Sequence, residues 1–361
     1  MERGETLPGT GTPQRATTMR EVAQHAGVDI SVVSRLLSGD PRLSVAPATR
    51  ERVLASVKEL DYRPNLAARS LRTLRGGMAA FVVPEFTSPV YANVITGAYR
   101  RATEHGYSIV VGEITEDLLR LTQDYRARGV DGVLLAGATL GEQSVRDLDR
   151  SPIPVVVVNR EVEGLRRTAV VDYSLASRLA AEHLADLGHQ EAVILCGPKG
   201  FDDAVNRVKA FTIAFRRRGG RTRRVRAEGL TGDAGMAAGR QLLARDNDAT
   251  AVFATTLMLA VGMQAAAHEN DVSVPGDLSI IALHDAELAK FTFPPLTTVA
   301  LPMMELGEAA LDHLLGVLDG KDPEPTVVTR DPVLVVRRST GPRAESRHSA
   351  RGPDLNRKSG G

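Results

Sequence analysis

Apolar positions between residues 18 and 62 recur every three or four residues, the spacing of packed helices. Met19, Val22, Ala23 and Ala26 share one face, and Thr18 with Glu21 three residues on forms a capping box. Gly27 ends that helix, and Asp29 is placed to cap a second, Ile30 to Leu37. On the second helix Val33, Leu36 and Leu37 point inward, while Ile30, Ser31, Ser34 and Arg35 point elsewhere. Ala23, Gly27 and Val33 suit two short helices crossing at close range. Pro47 opens a third helix, whose stripe reads Val53, Leu54, Val57 and Leu60.

From residue 78 the pattern changes. Short β-branched runs (Ala79–Val83, Ser108–Gly112, Gly132–Leu135, Val155–Val158, Ala192–Leu195, Ala251–Ala254, Leu278–Leu283) alternate with amphipathic stretches. Those stretches are Tyr91–His105, Ser174–Leu187, Ala204–Arg217, Ala234–Arg245 and Leu257–Glu269. Such alternation predicts βαβ units, and about a dozen elements fit two parallel sheets better than one. The expected division is a disordered tail at 1–17, a helical domain at 18–62, a linker at 63–77, a two-lobed core at 78–340 and a disordered basic tail at 341–361.

The net charge of +1 hides an uneven distribution. Residues 1–75 carry 12 Lys and Arg against 8 Asp and Glu, and residues 337–361 carry 7 against 2, so the body between them is acidic. A basic head suggests contact with a nucleic acid. Cys196, the single cysteine, ends an apolar run and reads as a buried packing thiol. No apolar run is long enough for a membrane span or a secretory signal, so a cytoplasmic location is expected. There is no metal-ligand spacing, no trusted nucleophile-and-base arrangement and no glycine-rich phosphate loop, so neither an enzyme nor a cofactor is expected. A solute-binding protein is the rival for the core, but it does not account for the helical head.

The stretch after residue 62 adds a more specific signal: Tyr62-Arg63-Pro64-Asn65-Leu66-Ala67-Ala68-Arg69-Ser70-Leu71-Arg72. With "REVAQHAGVDISVVSRLLSG", "TRERVLASVKELDYRPNLAARSLRT", "VDGVLLAG", "AAEHLADLGH", "PGDLSIIAL" and "PPLTTVALP", the chain from about 18 to 340 resembles the lactose-repressor (LacI/GalR) family. The resemblance implies an all-α helix-turn-helix head on an α/β two-lobed, periplasmic-binding-protein-like core with doubly wound parallel sheets. It implies a homodimeric regulator, usually a repressor, that binds a pseudo-palindromic double-stranded DNA operator and responds to a small-molecule effector.

Carried over by position, the base-reading residues are Ile30, Ser31 and Arg35, whose guanidinium can bridge guanine O6 and N7. Thr18, Arg20, Ser34, Ser38 and Asn65 fall at other DNA-contact positions, and Ala68 with Leu71 forms the minor-groove wedge. The segment Leu66 to Arg72 is two turns long, too short to be stable alone, which makes it an expected DNA-dependent switch. Asp29 departs from the family's serine, and the Gly39–Val45 loop is about two residues long in excess. Effector contacts are expected from Ser88, Tyr91, Asn159, Arg160, Arg207, Thr256, His284 and Asp285, at strand C-terminal ends facing the cleft. Asn159, Thr256-Leu257 and His284 replace the family's Asp, Asn-Asp and first Asp, and aromatic residues are only 4% with no tryptophan. An effector different from a simple neutral hexose, or none, follows from those changes.

Overall fold

The computed structural model describes residues 17–37, 43–62, 75–86, 88–136, 147–160, 164–199, 206–244 and 250–343. The expectations for the tails at 1–16 and 344–361, the hinge segment Leu66–Arg72, Ser38, Asn65, Ala68, Leu71 and loop positions 39–42 lie outside those residues. The chain divides into two units, 1–76 and 77–361.

The first unit packs α1 (Met19–Ala26), α2 (Ile30–Leu37) and α3 (Pro47–Glu59) around Val22, Ala23, Ala26, Val33, Leu36, Val53 and Tyr62. Ala23 is small enough for α1 and α2 to approach, and Gly27 turns the chain in the left-handed region at φ 64°, where a side chain would add strain. One expectation fails here. Leu54 is half exposed, and Ser56 takes the inward position beside Val53. The reason is local chemistry. The Ser56 hydroxyl donates to the Arg52 carbonyl at 2.8 Å and meets His25 Nδ1 at 3.0 Å, so a polar residue links α3 to α1 inside the bundle. Thr17 also belongs to this unit rather than to a tail, since its hydroxyl donates to the Leu60 carbonyl at 2.9 Å.

The second unit holds two six-stranded sheets. Lobe 1 contains β1 (Met78–Val83), β2 (Ser108–Glu113), β3 (Gly132–Ala136), β4 (Val155–Val158), β5 (Thr168–Val171) and β11 (Thr326–Val328). Their order is β11-β5-β4-β3-β1-β2, all parallel. Lobe 2 contains β6 (Glu191–Cys196), β7 (Arg221–Arg226), β8 (Ala251–Ala254), β9 (Ser279–Leu283), β10 (Thr297–Ala300) and β12 (Val333–Val335), ordered β12-β10-β9-β8-β6-β7. Only β12 runs antiparallel in that sheet. Central strands such as Val155–Val158 and Ala251–Ala254 are buried on both faces, which is why they read as unbroken apolar runs.

Helices cover the sheets: α4 (Pro89–Glu104) and α5 (Leu118–Ala127), then α6 (Tyr173–Asp186), α7 (Arg207–Arg217), α8 (Gly232–Leu243), α9 (Leu257–Glu269), the short α10 (Leu288–Phe291) and α11 (Met303–Leu318). The chain passes between lobes three times: after β5 into α6, which packs on lobe 2, after β10 into α11, which packs on lobe 1, and between β11 and β12. In lobe 1, α4 and α11 cross almost backbone to backbone. A Cβ on Gly97 would lie 1.9 Å from the Met304 carbonyl oxygen, and one on Gly307 would lie 1.9 Å from that of Val94.

The chain stays hydrogen-bonded to lobe 2 past the boundary expected at 340, the Arg343 amide donating to the Leu187 carbonyl at 2.9 Å. Gly341 is fixed by its neighbours: its carbonyl accepts from His189 Nε2 at 3.1 Å and its amide donates to Ser279 Oγ at 3.1 Å. His183 meets Thr340 Oγ1 at 2.9 Å, and His313 meets Thr326 Oγ1 at 3.0 Å. Burial pushes all three imidazoles below their ordinary range. The folded chain therefore holds fewer protons on them than the unfolded chain does. Their stabilising contribution is fully present above the unfolded value of 6.5 and is lost as pH falls below it. The melting temperature is expected to drop between pH 7.5 and 5.5 (roughly the span over which an imidazole titrates), and the drop should shrink in His189→Gln. Identical pH profiles for the two proteins would contradict this.

Candidate DNA interface and interlobe cleft

The starts of α1 and α2 are each built by a local hydrogen-bond set. Thr18 donates its amide to Glu21 Oε2 at 2.6 Å and its hydroxyl accepts from the Glu21 amide at 3.3 Å, completing the capping box of α1. Asp29 Oδ1 accepts from the Ser31 amide at 2.8 Å. Hydrogen bonds from Ser31 hold the Asp29 carboxyl below its ordinary range, so it stays ionised as the cap of α2. Its carboxylate is thus engaged with its own helix.

With Val33 and Leu36 buried against α1 and α3, the opposite side of α2 is outward. Ile30 is 43% exposed, Ser31 and Arg35 are exposed, and Ser34 is half-buried. An isoleucine so exposed at a helix start takes no part in the bundle core. Thr18 and Arg20 are also exposed, at the start of α1. The structure therefore gathers Ile30, Ser31 and Arg35 on one presented surface, with the α2 N-terminus among them.

In the core, the strand ends bring four of the eight expected effector residues, Asn159, Arg207, His284 and Tyr91, together around one residue the sequence reading missed, Tyr173. Its hydroxyl donates to Asn159 Oδ1 of lobe 1 at 2.7 Å and lies 3.4 Å from His284 Nε2 of lobe 2. The Arg207 guanidinium carbon stands 3.9 Å above the Tyr173 ring centroid, a cation–π stack, and Arg207 Nη1 donates to the Thr255 carbonyl at 3.1 Å. The His284 ring meets Tyr173 edge-on, with centroids 5.6 Å apart at 71°. Asn159 and His284 both sit at positive φ (64° and 70°), the left-handed backbone that turns the chain sharply off β4 and β9. Tyr173 follows the Asp172 cap of α6, and an aromatic residue directly after a cap at a lobe crossing was the available signal.

Electrostatics agree with this enclosure. Arg160, Arg207, Asn159 and His284 are each under 5% exposed. Burial, then the Arg207 charge, pushes His284 well below the ordinary imidazole range, so it is neutral at pH 7. Burial likewise pushes the Tyr91 phenol up, Tyr173 adding to the shift and Arg207 opposing it. His284 Nδ1 and Thr255 Oγ1 have no hydrogen-bond partner among the described residues.

Three expected residues behave differently. Thr256 caps α9, its hydroxyl accepting from the Leu259 amide at 3.4 Å. Ser88 precedes α4 with no side-chain cap bond. Asp285 does not join the Tyr173 cluster. Its carboxylate makes a two-pronged pair with Arg337, at 2.7 and 3.0 Å, and accepts from Thr298 Oγ1 at 2.7 Å. That pair ties the C-terminal segment to β9, and Arg337 lies too far along the chain for a local motif to reveal it.

A three-helix head that presents a polar helix face, joined to two doubly wound lobes closing on a buried polar cluster, defines a ligand-responsive DNA-binding regulator. Two family models agree. Residues 18–65 match the bacterial regulatory proteins of the lacI family, and residues 181–340 match the periplasmic binding protein-like domain. The ribose operon repressor of Escherichia coli (strain K12) is 32% identical over 333 residues, covering 89% of this chain and 99% of the repressor. Catabolite control protein A of Priestia megaterium is 29% identical over 333 residues, covering 90% and 99%. The solved complex of the transcriptional regulator CelR with cellobiose superimposes with a TM-score of 0.65 at 28% identity, covering 90% and 99%. The chain belongs to the lacI family of bacterial regulatory proteins, and it is a DNA-binding transcriptional regulator with an effector-binding core. No helix among the described residues is long and apolar enough to cross a membrane, and no group of them could hold a metal ion.

Proposed function

We propose that this regulator, usually acting as a repressor, binds a pseudo-palindromic operator as a homodimer. Ile30, Ser31 and Arg35 read base edges, Thr18, Arg20 and Ser34 contact the backbone, and a small sugar-related metabolite in the cleft changes the affinity. Ser38, Asn65, Ala68 and Leu71 complete the DNA contacts in this reading. A cytoplasmic site of action goes with it.

The Tyr173 cluster carries the effector half of the proposal. One hydroxyl joins Asn159 of lobe 1 to a residue stacked on Arg207 of lobe 2. A ligand that competes for these groups must change how the lobes close, which is the differential contact that any ligand-driven switch requires. Arg207 offers a fork for vicinal hydroxyls or a carboxylate, with Tyr91 and neutral His284 beside it. An operator with two-fold symmetry calls for two heads. Lobe 2 has a surface suited to self-association: Phe291 and Phe293 are 73% and 98% exposed beside Leu288.

The DNA half is tested with a duplex selected by the protein from a random library. Arg35→Ala is expected to weaken that duplex by about 1–3 kcal/mol, roughly 5- to 150-fold, while leaving binding to an unrelated duplex nearly unchanged. Equal losses on both duplexes would make Arg35 a phosphate contact and refute its base-reading role.

A further inference from the structure

Outside the cleft, a groove of about 410 Å³ runs between α6 and α7 on lobe 2. Its floor is apolar: Leu175 from α6, and Ala210, Ile213 and Ala214 from α7. Ile213, 43% exposed, is the most exposed apolar side chain of that lining. Its rims are cationic: Arg178 on α6, which lies 3.9 Å from Glu182 one turn on, and Lys209 and Arg217 on α7, all exposed. Asp172 is the one acid among the lining residues, and its carboxylate accepts from the Ser174 and Leu175 amides as the cap of α6.

The fold does not call for this arrangement. Lys209 sits in the first turn of α7, where a cation opposes the helix dipole. That turn has no acidic residue, and its cap, Asn206, makes no side-chain cap bond. Lys209, Ile213 and Arg217 are spaced i, i+4, i+8, so they form one stripe of cation, apolar residue and cation over about 12 Å. Beyond it the lobe edge stays basic, with exposed Arg216, Arg218, Arg221, Arg223, Arg224 and Arg226. Arg218 pairs with Asp186 and Arg221 with Glu191. The arginines on β7 also guard a sheet edge against pairing, a task that Lys209 and Arg178 on the helices do not share.

We propose that the groove between α6 and α7 docks an acidic amphipathic helix of a partner protein, whose apolar face covers Ile213 and whose carboxylates meet Arg178, Lys209 and Arg217. Cationic rims alone would suit any polyanion. The apolar floor decides for protein, because a phosphate backbone has nothing to place on Leu175, Ala210 and Ile213. The groove opens one residue before Tyr173 and one before Arg207, so a docked helix bears on the two helices that carry the cleft residues.

The test uses the full chain and a fluorescein-labelled helical peptide of about 18 residues, with leucine on one face and glutamate rows beside it. A peptide of the same composition in scrambled order and a short duplex DNA serve as competitors. Saturable binding is expected from the amphipathic peptide, with both competitors much weaker. Lys209→Glu with Arg217→Glu should weaken it about tenfold or more. Ile213→Ser, which alters no charge, should weaken it about threefold. Unchanged melting temperatures without peptide confirm folding, and Lys209→Gln gives a milder second variant. Absence of saturable binding, equal competition by the scrambled peptide or the duplex, or full affinity in every variant overturns the proposal.

Discussion

Replacing Gly307 by valine should destabilise the core by roughly 3 kcal/mol or more, at the upper end for overpacked sites. The cause is geometric. A Cβ at 307 meets the Val94 carbonyl oxygen at 1.9 Å and the Ala98 amide nitrogen at 2.7 Å. Both are backbone atoms, so no side chain can rotate away. Helices α4 and α11 would have to separate along their whole contact, and buried Val94, Ala98, Leu306, Ala310 and Leu311 would lose partners together. Denaturant unfolding followed by circular dichroism reads the effect. Gly316, on the same helix but with only a Pro323 carbon at 4.0 Å from its Cβ position, is the control. Gly316→Ala should be neutral or slightly stabilising. Equal destabilisation at 307 and 316 would contradict the close-approach account.

The second large effect is expected at Arg207. The side chain is almost fully buried, stacked on Tyr173 and bonded to the Thr255 carbonyl. Methionine keeps much of its volume and removes the fork. For a metabolite that raises the melting temperature of the native chain, Arg207→Met should cost at least about tenfold in affinity, or 1.4 kcal/mol, enough to remove most of the shift. Asp285→Asn should weaken the Arg337 tie instead and leave the ligand-induced shift largely intact, because the Asp285 carboxylate is committed to Arg337 and Thr298. A ligand shift that survives Arg207→Met and vanishes with Asp285→Asn would reverse this assignment.

Much of the fold was legible from apolar runs. The buried strands Val155–Val158 and Ala251–Ala254 matched their runs residue for residue, and the α9 boundaries Leu257–Glu269 were read as they stand. Strand β7 was not legible. Its sequence, Arg221 to Arg226, carries four arginines at a sheet edge, where neither face is buried deeply enough to impose alternation. Strands β11 and β12 are three residues each, too short for periodicity to show. Leu54 misled because composition marks it as core while its angular position on α3 does not.

The site divides the same way. Ile30, Ser31 and Arg35 could be placed because Val33 and Leu36 fix which side of α2 is inward. Asn159, Arg207 and His284 could be placed because they directly follow strands or open helices at the cleft. Tyr173 could not, since its bonds depend on which strand ends meet across the lobes, and the Asp285–Arg337 pair could not, since it joins segments of lobe 2 far apart in the chain; neither has a local signature.

The central claim is that the cleft and the operator are thermodynamically coupled. It is tested by titrating the selected duplex with the chain, by fluorescence anisotropy, at saturating levels of a metabolite that stabilises the core and again without it. The account predicts a change in operator dissociation constant of about 5- to 150-fold, the 1–3 kcal/mol typical of such coupling, abolished in Arg207→Met. Identical dissociation constants with and without a metabolite known to occupy the cleft would contradict it.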